Sequence, residues 1–217
     1  MSEPTGVPFD EETWRQLPAF LDHLPQPVCL HVWGDAAATP AEAEAARLAA
    51  LLAGRSPQLS YRLFPRRADY PYYPVIGVMR GTAAAADDDG LRLIGLPLGY
   101  QLTSLIAAIQ AVAFHGQTLE PATRIRLSRL PAGAAIAIEL LTAAEDEWGG
   151  VAAKVVFGMA AASARIRAYL IMTDFFPEAA QRYSVTALPH VVIDRRVHFS
   201  GPPDEAALLR HIALALA

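Results

Sequence analysis

The chain contains a single cysteine, Cys29. One thiol excludes an intrachain disulfide and any four-cysteine zinc centre. Lysine is almost missing too: Lys154 is the only one, so the other cations are arginines. The formal net charge is -4, which gives no support to nucleic-acid binding. No apolar run reaches the roughly 18 residues of a spanning helix, so no membrane segment is expected. Met1–Asp10 is proline-rich and acidic, unlike a signal peptide, and a cytoplasmic protein is expected. His23, His31, His115, His198 and His211 lack metal-ligand spacing. No G-x-G-x-x-G, P-loop, G-x-S-x-G or H-E-x-x-H segment is present. Neither metal nor cofactor is expected.

What is present is enough for a core. Of 217 residues, 53% are hydrophobic and 18% charged, which argues against global disorder. Residues 1–13 read as a flexible lead. Trp14–Leu24 reads as a short helix with Trp14, Leu17, Phe20, Leu21 and Leu24 inward and Pro18 in its first turn. Val28–Trp33 is a strand. Thr39-Pro40-Ala41-Glu42 is a capping box opening a helix to about Ala53. Leu59–Phe64 alternates as a second strand. Tyr73–Met79 is a strand led by Pro74, Ala83–Gly90 an acidic loop, and Leu91–Leu96 another strand. Gln101–Phe114 is a helix with Leu102, Leu105, Ile106 and Ile109 on one face.

His115–Pro131 reads as a linker, and the same order then recurs. Ala135–Leu141 is a strand. Thr142-Ala143-Ala144-Glu145 reads as a second capping box, with its helix running to about Ala162. Ile166–Met172 is a strand and Phe175–Tyr183 a short helix. Leu188-Pro189 leads the strand His190–Ile193, whose β-branched run marks it as buried. Asp194-Arg195 turns the chain into Arg196–Phe199, with no glycine to demand a primed turn. Asp204-Glu205 opens a last helix with Leu208, Leu209, Ile212 and Leu216 on one face. Pro74 and Pro189 hold matching places in the two halves, the mark of an internal repeat.

A proline before a buried hairpin, then an amphipathic helix, resembles the C-terminal half of a thioredoxin fold. The segment Gly95-Leu96-Pro97-Leu98-Gly99-Tyr100-Gln101-Leu102-Thr103-Ser104-Leu105 is more specific. It resembles the G-x-P-x-G-x-(E/Q)-x-x-S-L segment of two tandem thioredoxin-fold families. These are the glutaredoxin-like protein disulfide oxidoreductases and the N-terminal domain of the alkyl hydroperoxide reductase flavoprotein subunit. The resemblance implies an α/β chain of two tandem thioredoxin-like units, each a mixed sheet flanked by helices. The units are expected at residues 14–116 and 134–217, with cis bonds before Pro74 and Pro189.

Active relatives carry C-x-x-C after the first strand of a unit. Here Ala143 and Asp146 stand at those positions, and the first unit offers Gly34-Asp35-Ala36-Ala37-Ala38 instead. A helix start that lowers a thiol pKa has no sulfur to act on. Cys29, inside a strand, reads as a small buried hydrophobe. No catalytic residue is expected. The expectation is a redox-inactive binding or accessory module in thiol or peroxide metabolism, with a protein or peptide partner; a homodimer stays open. The expected groove combines Thr142, Ala143, Glu145 and Asp146 with Leu188, Pro189 and His190, in part exposed. Asp35, Tyr73 and Pro74 form the matching site of the first unit. Peptide would pair with the backbone beside the proline, by strand addition.

Two enzyme readings stay open. Cys29 could act with an external thiol, or Glu145 and Asp146 with His190 could do acid–base work or bind a metal. Glu145, Asp146 and Glu147 also read as charge compensation at a helix start. Arg62, Arg66 and Arg67 with Tyr61, Tyr70, Tyr72 and Tyr73 read as a basic-aromatic loop that could meet a phosphate or a partner.

Overall fold

The structure is a computed structural model that describes residues 11–217. The expectations for residues 1–10 and for the Trp14 side chain fall outside the described residues. The first half runs α1 (Glu11–Leu21), β1 (Val28–Trp33), α2 (Pro40–Ala53), β2 (Leu59–Phe64), β3 (Val75–Gly81), β4 (Ala86–Ile94) and α3 (Leu102–Ala113). The second runs α4 (Pro121–Ser128), β5 (Ile136–Thr142), α5 (Gly149–Ala162), β6 (Ile166–Met172), α6 (Pro177–Arg182), β7 (His190–Ile193), β8 (Val197–Ser200) and α7 (Glu205–Leu216). The strands form one eight-stranded sheet in the order β2-β1-β3-β4-β6-β5-β7-β8.

Each half is a parallel β-α-β crossover followed by an antiparallel hairpin. In the first, β1 runs parallel to β2 and antiparallel to β3, which turns back into β4. In the second, β5 runs parallel to β6 and antiparallel to β7, which turns back into β8. The halves meet through the parallel pair β4–β6, from Leu91–Ala168 to Ile94–Ile171. Both Tyr73-Pro74 and Leu188-Pro189 are cis. The repeat extends to single atoms: Gly95 N–H donates to Pro74 O and Gly201 N–H to Pro189 O, each at 2.8 Å.

Strand alternation splits the core into two layers. Leu30, Ile76, Leu93, Ile138, Leu170 and Val191 face helices α1 to α5 and α7. The opposite face carries Trp33, Met79, Ile94, Leu141, Ile171 and Val192. Among the described residues that face is covered by α6 with the loop that follows it, by the tyrosine-bearing loop between β2 and β3, and by Ala83.

Several local expectations are corrected. Strand β4 begins at Ala86, inside the segment expected to be an acidic loop, because Asp87 and Asp89 pair with Arg80 on the adjacent strand. Cross-strand charge pairs stabilise a ladder that composition alone reads as a loop. The expected linker holds α4, which Pro121 opens and whose Leu127 is fully buried. Helix α1 starts early enough to leave Pro18 beyond its first turn, and Phe20 points outward, 48% exposed. The β7–β8 turn is primed without glycine: Asp194 and Arg195 have φ of 49° and 58°, and Arg196 N–H reaches Ile193 O at 3.0 Å. Asp194 anchors that turn by accepting the Ala137 N–H at 2.7 Å.

Candidate functional site

The turn that includes Ala143 and Asp146 joins β5 to α5. No capping box forms there. Thr142 is the last residue of β5, fully buried, and α5 starts only at Gly149. The intervening turn is held by its own groups. Thr142 Oγ1 donates to Asp146 Oδ2 at 2.8 Å, and Asp146 Oδ1 accepts the Trp148 N–H at 3.0 Å. Asp146 N–H reaches Ala143 O at 3.0 Å. Asp174 Oδ2 accepts the Ala144 N–H at 2.6 Å. Asp146 is therefore committed to the turn, whereas Glu145 is exposed.

The first half of the chain clamps this turn. Gln101, with no exposed surface, donates Nε2 to the carbonyls of Ala143 and Asp146, each at 2.9 Å. Its Oε1 accepts from Ser104 Oγ at 2.7 Å, so the buried amide is satisfied at both ends. Tyr100 N–H donates to Ala144 O at 3.0 Å. Gly99, at φ +55°, leaves the room this requires: a Cβ there would sit 2.6 Å from Ala144 O.

On the other side of the turn, β7 runs antiparallel to β5 with His190 opposite Leu141. Extending that register sets Leu188 across from Ala143. Leu188 is half-buried, and neither its N–H nor its C=O has a backbone partner among the described residues. Pro189 and His190, expected to be partly exposed, are buried. The His190 ring does not join Glu145 and Asp146, because strand alternation puts it on the face opposite Thr142. Its Nδ1 lies 2.9 Å from Ser200 Oγ and its Nε2 lies 3.2 Å from His198 Nδ1. Burial, with the neighbouring His198, holds the His190 pKa below the usual imidazole value. Among the described residues no group of three or more His, Cys, Asp and Glu side chains is arranged to hold a metal.

The matching place in the first half is built around an ion pair. Thr39 caps α2 by accepting the Glu42 N–H at 3.3 Å, but the Glu42 carboxylate does not reach back to Thr39 N–H. It accepts the Asp35 N–H at 2.7 Å and two hydrogen bonds from Arg66, at 2.8 and 2.5 Å. The side chain is fully buried. Arg66, first and foremost, holds its pKa down to about 2. Arg66 also lies over the Tyr73 ring, 5.3 Å from its centroid. Arg67 pairs with Asp69, and the hydroxyls of Tyr70 and Tyr72 accept from Arg92 at 2.7 Å and Arg182 at 3.4 Å, so most of the basic-aromatic segment is spent on internal contacts. Cys29, on β1, has no exposed surface, and burial pushes its thiol pKa up.

Two solved structures superpose on nearly the whole chain. One is an N-terminal domain of alkylhydroperoxide reductase from Enterococcus faecalis, at TM-score 0.83 and 19% identity, covering 94% of this chain and 99% of that one. The other is a protein disulfide oxidoreductase from Aeropyrum pernix, at TM-score 0.81 and 21% identity, covering 95% and 93%. This chain has the tandem thioredoxin fold. No family model and no curated protein sequence matches it. No helix of the described residues is long and apolar enough to cross a membrane.

In this tandem thioredoxin fold, sequence reading named the elements on both sides of the degenerate turn but missed two residues that matter. Gln101 was legible as a motif position, not as a clamp reaching into the other half. Glu42 was legible as a cap, while its partner Arg66 lies 24 positions away. Neither contact leaves a periodic signal.

Proposed function

We propose that the protein is a redox-inactive thioredoxin-fold module that acts by binding an extended protein segment beside Leu188. The observation that carries this is the unpaired backbone of Leu188, half-buried and next to a turn pinned by the Thr142–Asp146 and Ala144–Asp174 hydrogen bonds. An unpaired N–H and C=O at a sheet margin is stabilised by water or by a partner strand. The exposed carboxylates of Glu145 and Glu147 favour a basic partner segment. Loss of the two cysteines removes disulfide exchange and leaves this surface intact. The full burial of Cys29 counts against an enzyme that uses it with an external thiol. The distance of His190 from the turn's acids, set by its place on the other face, counts against the cysteine-free enzyme.

The test is selection of short peptides against the full chain, with the Leu188 amide followed by NMR. A basic peptide that shifts the Leu188 resonance and binds Glu145→Lys/Glu147→Lys more weakly supports the reading. Selected peptides that leave Leu188 unmoved sink it.

A further inference from the structure

The sheet face beneath α6 and the β2–β3 loop holds a cavity separate from the groove at Leu188. Between the β2–β3 loop, the end of α6 and the β7–β8 turn lies a cavity of about 560 Å³. Its floor is made by β5 and β6, with Glu139 and Tyr169 paired side by side. Its boundary draws on both halves of the chain: Tyr72 from the first, Arg182 and Arg195 from the second. None of Thr142–Asp146 or Leu188–His190 lines it.

We propose that this cavity binds a small phosphorylated ligand with a planar ring, of the size of a nucleoside monophosphate. The charge arrangement carries the argument. Arg167 on β6, Arg182 at the end of α6 and Arg195 in the β7–β8 turn all line the cavity. None of the three forms an ion pair among the described residues, although Arg182 Nη2 donates to the Tyr72 hydroxyl at 3.4 Å. The lining carboxylates, by contrast, are engaged. Asp69 accepts two hydrogen bonds from Arg67, at 3.0 and 2.8 Å. Asp194 accepts the Ala137 N–H at 2.7 Å, and Glu139 accepts from the Tyr183 hydroxyl at 3.1 Å. Arg67 is not part of the lining and neutralises Asp69, so three cations face two hydrogen-bonded carboxylates.

Three arginines from separate elements line one cavity, and their planar guanidiniums are the donor type suited to a phosphate. Aromatic rings supply the rest. Tyr169 is half-buried in the floor, and Tyr72 is fixed by stacking on Phe176, centroids 4.5 Å apart at 18°. Rings held this way offer a planar ligand a face to stack on. The volume lies within the roughly 300–1,000 Å³ of small-molecule sites. A net charge of -4 argues against a nucleic-acid polymer as the occupant.

The experiment is calorimetric titration of the full chain with AMP, adenosine and inorganic phosphate in parallel. AMP is expected to bind at least ~10-fold more tightly than either fragment, and less tightly as salt rises. Arg167→Ala/Arg195→Ala should weaken AMP binding by at least ~10-fold, because two charge-assisted contacts are lost. Tyr169→Leu, which keeps bulk but removes the ring, should weaken it several-fold. Matched thermal melts keep loss of folding apart from loss of binding. No binding of AMP to the wild type, phosphate alone binding as tightly, or unchanged affinity in the arginine variant overturns the proposal. The peptide groove, which shares no lining residue with this cavity, is unaffected by either result.

Discussion

Gln101 Nε2 donates to the main-chain carbonyl of Asp146 at 2.9 Å, from the first half of the chain into the second. The same nitrogen holds Ala143 O, so one buried amide fixes both ends of the turn between β5 and α5. Gln101→Leu keeps the bulk and removes both donors, and strands the Ser104 hydroxyl. The expected cost is about 1–3 kcal/mol of stability, since buried acceptors lose their partners. A denaturant titration measures it. A midpoint equal to wild type would mean that water replaces the amide.

Glu42 gives a pH signature. Its folded pKa, held at about 2 by Arg66, lies below the ordinary 4.5. The stabilisation is therefore complete above the unfolded value and is lost as pH falls from about 4.5 toward 2. Glu42→Gln should be less stable than wild type at pH 7, by about 1–3 kcal/mol. The gap between the two proteins should narrow on acidification through that window. Parallel stability–pH curves would rule the ion pair out as the cause.

Cys29 should be inert in the folded protein. With no exposed surface and a pKa raised by burial, it should react with a thiol reagent only on unfolding. Insulin reduction driven by dithiothreitol should stay at the buffer rate. Turnover that vanishes in Cys29→Ser would contradict both the burial and the redox-inactive reading.

Two helices end on non-glycine residues in left-handed conformation. His115 follows α3 at φ 50°, with Gly116 N–H on Ala111 O and His115 N–H on Val112 O. Ser184 follows α6 at φ 51°, with Val185 N–H on Ala180 O and Ser184 N–H on Gln181 O. Both are Schellman caps, in which glycine avoids the Cβ penalty. His115→Gly and Ser184→Gly should each stabilise by up to about 1 kcal/mol, partly offset by the entropy of the unfolded chain. Thermal melting checks this, and a lower midpoint in both would refute the cap assignment.

The sequence alone carried the architecture. Alternating β-branched runs, proline-led strands and amphipathic helices are local patterns, and β1, β2, β6, β7 and α2 stand where those patterns set them. That Cys29 is the only cysteine was equally plain, because a residue type is visible without a fold. Where a residue's partner is distant, the pattern is silent. The acids of Asp87 and Asp89 read as a loop until Arg80 lies beside them, and Thr142 reads as a cap until Asp146 and Gln101 enclose it. His190 reads as a neighbour of the turn until strand alternation turns its ring toward His198 and Ser200. The cavity bounded by Arg167, Arg182 and Arg195 exists only because β4 pairs with β6, joining two half-sheets with one face left uncovered by long helices. Local sequence sets where a strand lies and how its side chains alternate. Which charges end up on a shared face is settled by packing between segments far apart in the chain.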